Sequence, residues 1–334
     1  LYLFNIFFLC ICIVNNLKIK FIEIMIKNKI YILLFIKSII AQDVIAEGLV
    51  SQDLINYLKQ NYTTSNVLSY NSARDVMYGQ IYNNNGNVSC VYTKYTINNV
   101  PSNNPRPTMN AGGIDCEHIW PQSMYNGTSP MKQDMHHLKP CKSNVNSSRG
   151  NKPFNEVIDS QANHWYWLSN DFSSPPSNNI NEYSESGSSA FEPREDTKGD
   201  IARIMYYFYT IYTDVANDSF FETQKDILYQ WHINDPASDE EIDITWQIAS
   251  YQNNIPNPFI IDDSLIYRAY FYDPLLPGDV NLDSLINVVD ITLMVSIILY
   301  DEQINNNQFL NADMDGNQII NISDIVALVN IILS

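Results

Sequence analysis

The spacing of apolar residues divides the chain into segments with different predicted structures. Apolar side chains recur at helical intervals in residues 54–58, 74–81, 200–213, 220–232 and 238–252. Residues 88–97 are rich in Tyr and β-branched side chains and predict a strand. Two stretches rich in Asn, Ser and Pro, residues 98–113 and 171–190, predict loops. This pattern predicts an α+β fold that is mainly helical and contains a small β element.

A duplicated pattern follows the short, Pro-containing linker predicted at residues 274–277. The sequence DVNLDSLINVVD, which starts at Asp279, is matched by DMDGNQIINISD, which starts at Asp313. Oxygen-bearing side chains fall at loop positions 1, 3, 5, 9 and 12 of both copies, and position 7 can offer a backbone carbonyl. The candidate ligands are Asp279, Asn281, Asp283, Leu285, Asn287 and Asp290 in the first copy, and Asp313, Asp315, Asn317, Ile319, Asn321 and Asp324 in the second.

This spacing predicts two calcium-binding loops in a small all-α module over residues 278–334. Each loop runs into an apolar helical segment, residues 291–299 and 325–333. The alternative is a pair of Asx-rich turns before helices, which chance would rarely supply twice.

The N-terminal part has the composition of a targeting segment. Residues 1–24 precede Met25 and are interpreted as upstream sequence that is not translated. From Met25, a basic stretch, an apolar run and a small residue form the pattern of a signal peptide over residues 25–41. A membrane anchor is the alternative, but Lys37 cuts the apolar run below the roughly 20 residues that a spanning helix needs. We therefore expect a secreted protein whose mature chain begins near Gln42 and has no membrane segment.

The chain is strongly acidic, with a formal net charge of −18. Such a charge disfavours a function that depends on attraction of the whole surface to a polyanion. Residues 116–154 differ, because they hold five basic side chains against two acidic ones. This segment is therefore locally basic, although an ordinary solvated mixture of charges is the alternative for each lysine.

The same segment concentrates side chains that suit metal-assisted cleavage of a phosphodiester. Glu117 and His118 adjoin each other in DCEHIWPQS, Asp134 begins DMHHL, and Asn146 and Arg149 belong to NSSRGN. A divalent metal needs oxygen ligands, the attacking water needs a base with a pKa near neutrality, and the phosphate needs a cation. These residue types predict a hydrolytic metal site.

Each of these residues also has a structural interpretation. A lone His is more often a hydrogen-bonding group than a base, and we interpret His136 and His137 mainly as supporting residues. Asp134 can brace the same turn, and Arg149 can pair with an acid as readily as with phosphate.

The cysteines leave further alternatives open. Cys90, Cys116 and Cys141 are expected to be buried thiols, although a Cys116–Cys141 disulfide is conceivable in a secreted protein. A zinc site is a weaker alternative, because the spacing lacks a paired C-x-x-C. Its ligands would come from Cys116, His118, His136, His137 and Cys141.

The motifs closely resemble those of the endonuclease I family. The segments CEHIWPQS, DMHHL and NSSRGN carry the resemblance, and later segments such as KGDIAR and NPF extend it along most of residues 50–273. The family contains secreted or periplasmic nonspecific nucleases. The resemblance implies a mainly helical nuclease domain with a ββα-metal core.

The resemblance also implies roles for individual residues. His118 would be the general base, Glu117 and Asn146 would hold Mg²⁺, and Arg149 would support the substrate or the site. The products would carry 5′-phosphates, with DNA as the substrate and RNA as a further one. Some members place an arginine between the two motifs, where this chain has Lys132.

Residues 278–334 resemble a type I dockerin, a module that binds cohesin domains on extracellular scaffolds. Two departures concern this resemblance. Loop position 6, which favours Gly because the turn needs positive φ, holds Ser284 and Gln318. The positions that contact cohesin in family members are often hydroxyl pairs, whereas this chain has Val288-Val289 and Ile322-Ser323. Calcium binding is therefore a firmer expectation than a cohesin partner.

Together these observations predict a secreted, metal-dependent nonspecific endonuclease. Its nuclease domain would span residues 42–273, and a calcium-dependent dockerin-like module would follow the linker. The rival hypothesis is a noncatalytic, calcium-dependent attachment protein whose nuclease fold only binds nucleic acid.

Overall fold

The computed structural model describes residues 44–272, 275–283, 285–300 and 302–333. The predicted untranslated segment, the signal peptide and Gln42 lie outside the described residues, as do Pro274 of the linker and Ser284 of the first loop. The chain divides into two compact units, one extending to Ile266 and one formed by Tyr267–Ser334 with Val50–Gln52. No helix among the described residues is long and apolar enough to cross a membrane.

Helices dominate the first unit, as the apolar spacing predicts. In chain order they are α1 (Ser51–Tyr62), α2 (Tyr70–Val76), α3 (Arg106–Ala111), α4 (Ser143–Arg149), α5 (Lys198–Ile211), α6 (Asp218–Glu222), α7 (Lys225–Asn234), α8 (Asp239–Tyr251), α9 (Pro258–Ile261) and α10 (Ser264–Tyr270). A π-helical turn, Met77–Ile81, continues α2. The single helix expected over residues 220–232 is instead divided into α6 and α7. The break falls at Gln224, whose side chain bonds to the backbone of Phe154 and Phe220.

The strands are short and form three antiparallel sheets. They are β1 (Val88–Ser89), β2 (Thr96–Ile97), β3 (Ile114–His118), β4 (Leu138–Lys142), β5 (His164–Trp167), β6 (Asn170–Phe172), β7 (Ser184–Ser186) and β8 (Phe191–Glu192). β1 pairs with β2, β3 pairs with β4, and the third sheet has the order β6-β5-β7-β8.

Three local expectations from the sequence are wrong in detail. Residues 88–97 form a hairpin rather than one strand. The chain turns at Lys94, which has a φ of +55° and whose amide donates a hydrogen bond to the Cys90 carbonyl oxygen. The predicted loop at residues 98–113 contains α3, which has Pro in its first turn. The predicted loop at residues 171–190 contains β7. Its polar sequence does not predict a strand, and β7 is held by hydrogen bonds to its neighbours β5 and β8.

The hairpin β3–β4 runs directly into α4. Its register pairs Ile114 with Lys142 and His118 with Leu138. Gly113, with a φ of +73°, turns the chain into β3, and its carbonyl accepts the Ser143 amide at 2.9 Å. This bond fixes the start of α4 beside the start of β3, so residues near the end of β3 and residues of α4 can share one site.

The core of the first unit is aromatic and surrounds α5. Helix α5 is buried on nearly every face. The Trp120 ring, just beyond β3, stacks on Phe208 of α5 with centroids 4.9 Å apart and meets Phe220 edge-on at 5.3 Å. These contacts anchor the segment that follows β3 to the helical layer.

Asp134 ties the turn before β4 to the helices. Its buried carboxylate accepts hydrogen bonds from the His136 amide at 3.0 Å, from the hydroxyls of Tyr207 and Tyr212 at 2.8 and 2.7 Å, and from Gln252 at 2.8 Å. Asp134 therefore braces this turn, as its structural interpretation predicts.

The second unit is built from three helices around a small core. Helices α11 (Val288–Tyr300) and α13 (Ile322–Leu333) follow the two repeated segments, and α12 (Asn306–Ala312) lies between them. The core consists of Val280, Met294, Ala312 and Leu328. Helix α12 has weak apolar spacing but a capping box formed by Asn305 and Gln308, and the sequence analysis missed it.

We expect Asp134→Ala to lower the free energy of unfolding by about 3 kcal/mol, because the substitution leaves two hydroxyls, the His136 backbone amide and the Gln252 side-chain amide without their acceptor. Urea denaturation of the full chain measures this loss. Asp243→Ala, at an exposed position on α8, serves as the control and should stay within about 0.5 kcal/mol of the wild type. Equal stabilities of the two variants would contradict the bracing role.

Candidate active site and calcium loops

A cavity of about 400 Å³ lies where β3 ends and α4 runs past it. Glu117, His118 and Asn146 line it, and Arg149 does not. Its other lining residues are Cys116, Pro121, Gln122, Ser123, Gly150 and Asn151. Because β3 stops at His118, these adjacent residues escape strict strand alternation and both face the cavity.

Glu117 is a buried carboxylate with few compensating partners. Tyr92 donates its hydroxyl hydrogen to Glu117 Oε1 at 2.9 Å, and Arg149 Nη1 lies 3.3 Å from the same oxygen. Burial raises the pKa of Glu117 to about 7, although Arg149 and Tyr92 oppose the shift. Among the described residues no hydrogen bond reaches Oε2, which leaves this oxygen available to a ligand.

His118 is held in one tautomer by its two ring contacts. Its Nε2 lies 3.1 Å from the Lys132 carbonyl oxygen, which can only accept, so Nε2 carries the proton. Nδ1 is then the atom with the free electron pair, and Gln122 Nε2 donates to it at 3.1 Å. Burial lowers the pKa of His118 to about 3, with added effects of His137, Lys132 and Arg74. The ring is therefore neutral near pH 7 and can accept a proton at Nδ1.

Asn146 extends from α4 into the same cavity. Its side chain is half-buried and makes no hydrogen bond within the described part of the chain. A free amide oxygen next to an available carboxylate oxygen is a small set of hard donors. This set fits Mg²⁺, which keeps several waters and binds through few protein groups.

Arg149 is a positioning residue rather than a catalytic one. Its guanidinium group is fully buried and donates to the carbonyl oxygens of His118 at 3.2 Å and Ile119 at 2.5 Å. Its Cζ lies 4.5 Å from the centre of the Phe154 ring. These contacts hold Arg149 beneath the cavity and agree with the structural one of its two interpretations, pairing with an acid.

His136 and His137 support the turn before β4. His136 Nε2 lies 2.9 Å from the Ile255 carbonyl oxygen, and His137 Nε2 lies 2.6 Å from that of Met131. Neither lines the cavity. The zinc alternative gains no support, since the described residues bring together one potential metal-binding group of His, Cys and acidic side chains, and that group belongs to the second unit.

The cysteines of the first unit are buried free thiols. Cys116 faces Pro140 across the β3–β4 register, whereas Cys141 faces Asp115. Alternation along the strands directs Cys116 and Cys141 to opposite faces of the hairpin. The conceivable Cys116–Cys141 disulfide is therefore excluded by the register. Cys141 instead contacts Cys90, with the two sulfur atoms 4.0 Å apart.

The two repeated loops of the second unit have matching internal geometry. In the first, Asp290 accepts the amides of Val280 at 2.8 Å and Asn287 at 2.9 Å. In the second, Asp324 accepts those of Met314 at 2.9 Å and Asn321 at 2.9 Å. Acceptor atoms of Asp313, Asp315 and Asp324 lie within 4.8 Å of one another. The second loop therefore brings three carboxylates together as a cation site requires.

Left-handed backbone conformations occur in the described parts of both loops. Gln318, at position 6, has a φ of +67°, as the departure from Gly predicts. Position 4 also has a left-handed conformation, at Leu282 with a φ of +61° and at Gly316 with +71°. The sequence analysis did not anticipate the strain at Leu282, an apolar residue in a conformation that favours Gly.

Family comparison agrees with this geometry. Residues 46–264 match the model of the family described as Endonuclease I, which covers most of the chain. The chain belongs to the endonuclease I family. Residues 277–333 match a dockerin type I domain. The endonuclease I family is metal-dependent, and dockerin domains bind calcium.

Two curated relatives are both named extracellular ribonuclease. One, from Bacillus subtilis (strain 168), is 31% identical over 169 residues, or 45% of this chain and 52% of the relative. The other, from Bacillus amyloliquefaciens, is 29% identical over 167 residues, or 45% of this chain and 51% of the relative. The chain thus spans about half the length of the curated relatives it matches.

The endonuclease I domain holds two supporting residues that the sequence analysis missed. Gln122 lies in the motif CEHIWPQS, four residues after His118, and this short separation could have indicated a contact with His118. Tyr92 precedes Glu117 by 25 residues and belongs to the β1–β2 hairpin, so its contact with Glu117 exists only in the fold.

We expect the dockerin domain to require calcium for its folded state. Saturation of one site at a hundredfold excess over its Kd adds about 2.7 kcal/mol of stability, and the unit has only a small core. Asp279→Ala combined with Asp313→Ala should abolish the calcium-induced gain in helical circular dichroism of a 275–334 fragment. Glu302→Ala, at an exposed position, should retain that gain. An identical helical signal in calcium and in chelator would contradict the assignment.

Proposed function

We propose that this protein is a secreted, metal-dependent nonspecific nuclease that is attached to a scaffold through its dockerin domain. The observation that carries the catalytic part is the convergence of Glu117, His118 and Asn146 on one cavity. Membership of the endonuclease I family and two relatives named extracellular ribonuclease support it.

In this proposal Glu117 Oε2 and the Asn146 amide oxygen hold Mg²⁺. When bound, the metal would neutralise charge that develops on the phosphate and on the leaving 3′ oxygen. Tyr92 and Arg149 fix Glu117 through Oε1 and so leave its other oxygen directed to the ligand. The attacking water forms a new P–O bond, the bond from phosphorus to the 3′ oxygen breaks, and the released 3′ oxygen takes a proton from solvent water, so the products carry 5′-phosphates.

His118 acts as the general base through Nδ1. The Lys132 carbonyl keeps the proton on Nε2, so Nδ1 is ready to accept one from water. Gln122 Nε2 donates to Nδ1 at 3.1 Å in this structure, so the reacting water must displace this amide from Nδ1 before it can give up its proton there. Because no step uses the 2′-hydroxyl, both DNA and RNA are expected substrates.

The dockerin domain supplies the attachment in this proposal. Calcium bound by the two loops would stabilise α11 and α13, and a cohesin-type domain on a scaffold is the expected partner. The extracellular names of the relatives support a location outside the cell. Calorimetric titration with a type I cohesin, in calcium and in chelator, tests the partner.

Cleavage itself separates this proposal from a noncatalytic binding protein. Plasmid DNA and a structured RNA should both be cut in Mg²⁺ and remain intact in excess EDTA. Sequencing adaptors that require a 5′-phosphate should ligate directly to the products. Intact substrates in Mg²⁺, with nucleic-acid binding retained, would favour the noncatalytic alternative.

We expect His118→Ala to lower kcat about a thousandfold, because a positioned general base contributes roughly 10²–10⁴ to the rate. Nucleic-acid binding and thermal unfolding should stay close to those of the wild type. His164→Ala is the matched control, since His164 is exposed and bonds to Asp171 away from the cavity. Equal rates for the two variants would contradict the assigned base.

We expect Asn146→Ala to raise the Mg²⁺ concentration for half-maximal activity roughly tenfold or more, with partial rescue at high Mg²⁺. Asn144→Ala, an exposed position on the same helix, should leave the metal dependence unchanged. A loss of activity that is the same at every Mg²⁺ concentration would argue against Asn146 as a ligand.

A further inference from the structure

Most of the basic side chains that the structure describes in the first unit form ion pairs with carboxylates. These ion pairs include Lys59–Asp214, Arg106–Asp75, Arg149–Glu117, Arg194–Glu182, Lys198–Glu192, Arg203–Glu241 and Lys225–Glu222. The described basic side chains of this unit that form no ion pair with a carboxylate are Arg74, Lys132, Lys139, Lys142 and Lys152. Two such side chains lie next to the candidate active site.

These two, Arg74 and Lys132, contact the same aromatic ring. Arg74 Cζ lies 4.4 Å from the centre of the Tyr70 ring, and Lys132 Nζ lies 5.2 Å from it. The Tyr70 ring in turn lies 5.6 Å from the ring of His118. We call Tyr70, Arg74 and Lys132 the Tyr70 cluster. Within the described residues neither cation pairs with a carboxylate, and Arg74 Nε is buried without a hydrogen-bond partner.

Two like charges on one ring repel each other, and the attraction of each to the ring offsets this only in part. An anion between or beside them would offset the repulsion and give both cations an acceptor. A phosphodiester group carries the required charge and offers acceptor oxygens to both side chains.

The position of the cluster indicates which phosphate it would bind. The Lys132 backbone lies at the Nε2 edge of His118, whereas the Nδ1 edge faces Gln122 of the cavity. The proton-accepting edge and the backbone of the cluster are therefore on different sides of the ring. This arrangement fits a phosphate next to the reacting one better than the reacting phosphate itself.

We propose that the Tyr70 cluster binds the phosphate adjacent to the scissile one in a polynucleotide, with Arg74 and Lys132 donating to its oxygens. The proposal rests on the proposed nuclease function. It assigns to these residues the grip on substrate that the acidic surface as a whole cannot supply.

Binding and cleavage are measured separately to test it. Fluorescence anisotropy in EDTA gives the Kd for a fluorescein-labelled single-stranded oligodeoxynucleotide without cleavage. Steady-state kinetics in Mg²⁺ compare this oligonucleotide with thymidine 5′-(4-nitrophenyl phosphate), which has one phosphodiester and no adjacent phosphate. The variants are Arg74→Gln, Lys132→Gln and the double variant. The matched control is Lys142→Gln, because Lys142 Nζ also lies over a tyrosine ring, 4.9 Å from the centre of Tyr95, at the other end of β4.

Each single variant should weaken oligonucleotide binding and raise KM roughly threefold, the double variant roughly tenfold, with kcat nearly unchanged. The slope of log Kd against log salt should fall by about 0.7 for each lost contact. Kinetics on the small diester should not change, and Lys142→Gln should match the wild type on both substrates.

Unchanged oligonucleotide binding in the double variant would overturn the proposal. Equal losses on both substrates, seen in kcat, would also overturn it, because the cluster would then act through His118 or at the reacting phosphate. A wild-type protein that binds the oligonucleotide through Arg74 and Lys132 but cleaves neither substrate would refute the nuclease function and leave the binding site standing.

A separate observation concerns Cys90 and Cys141. Their sulfur atoms are 4.0 Å apart and buried, and the Val91 amide bonds to the Pro140 carbonyl at 2.9 Å, which holds the two backbones side by side. The Lys142 amide donates to Cys90 Sγ at 3.2 Å and favours its thiolate. We infer that Cys90 and Cys141 form a disulfide when the chain folds in an oxidising compartment.

The reaction is thiol–disulfide exchange with a small-molecule or protein disulfide. The Cys90 thiolate attacks one sulfur of that disulfide and releases a thiolate, and Cys141 then displaces the second half as a thiol. Cys90 and Cys141 are oxidised together, and the exchanging disulfide is reduced to two thiols. Cys116, on the other face of the hairpin, has no cysteine neighbour among the described residues and stays reduced.

Mass spectrometry after unfolding and alkylation without reductant is the test. Protein refolded in a glutathione redox buffer should carry an alkyl group on Cys116 and a linked peptide pair containing Cys90 and Cys141. Cys141→Ser should convert Cys90 to the alkylated form and leave Cys116 unchanged. Alkylation of all three cysteines in the refolded wild type would overturn the inference.

Discussion

The candidate active site depends on Arg149, a buried arginine that does not line the cavity. Arg149 ends α4 and donates to the carbonyl oxygens of His118 and Ile119, the residues at which β3 stops. The same guanidinium faces Glu117 at 3.3 Å. One side chain therefore fixes the end of the strand, the orientation of the carboxylate and the approach of the helix that carries Asn146. Its charge is needed because a buried carboxylate without a cation is costly.

This arrangement explains how two neighbouring residues serve one cavity. In a continuing strand Glu117 and His118 would point to opposite faces. The strand stops at His118, and its last carbonyls bond to Arg149 instead of to a strand partner. The constraint links the fold to the proposed chemistry, because Arg149 fixes the end of the strand and so directs Glu117 and His118, the candidate ligand and the candidate base, into the same cavity.

Much of this could be predicted from the sequence, for identifiable reasons. Helices such as α5 and α8 follow from apolar spacing, and the match to a dockerin type I domain agrees with the duplicated pattern of oxygen side chains. The motif residues Glu117, His118 and Asn146 lie within 30 residues of one another, so their proximity was a local inference. Contacts made between distant segments could not be predicted. Tyr92 reaches Glu117 from another hairpin, and Asp134 is satisfied by Tyr207, Tyr212 and Gln252.

Arg149 shows most clearly why a residue type does not fix a role. In the sequence it lies three residues after the candidate ligand Asn146, and contact with phosphate and pairing with an acid were both open. A cation can contact substrate only with donors that are not already used inside the protein. Arg149 is buried beneath β3, where its guanidinium group donates to the carbonyl oxygens of His118 and Ile119. Arg74 and Lys132 present the opposite case. No role was assigned to either from the sequence. In the fold both contact the Tyr70 ring next to His118, and neither forms an ion pair with an acid among the described residues. In an acidic chain, the distribution of unpaired cations is set by the ion pairs that the fold makes elsewhere, and it is this distribution that determines where a polyanion can be held.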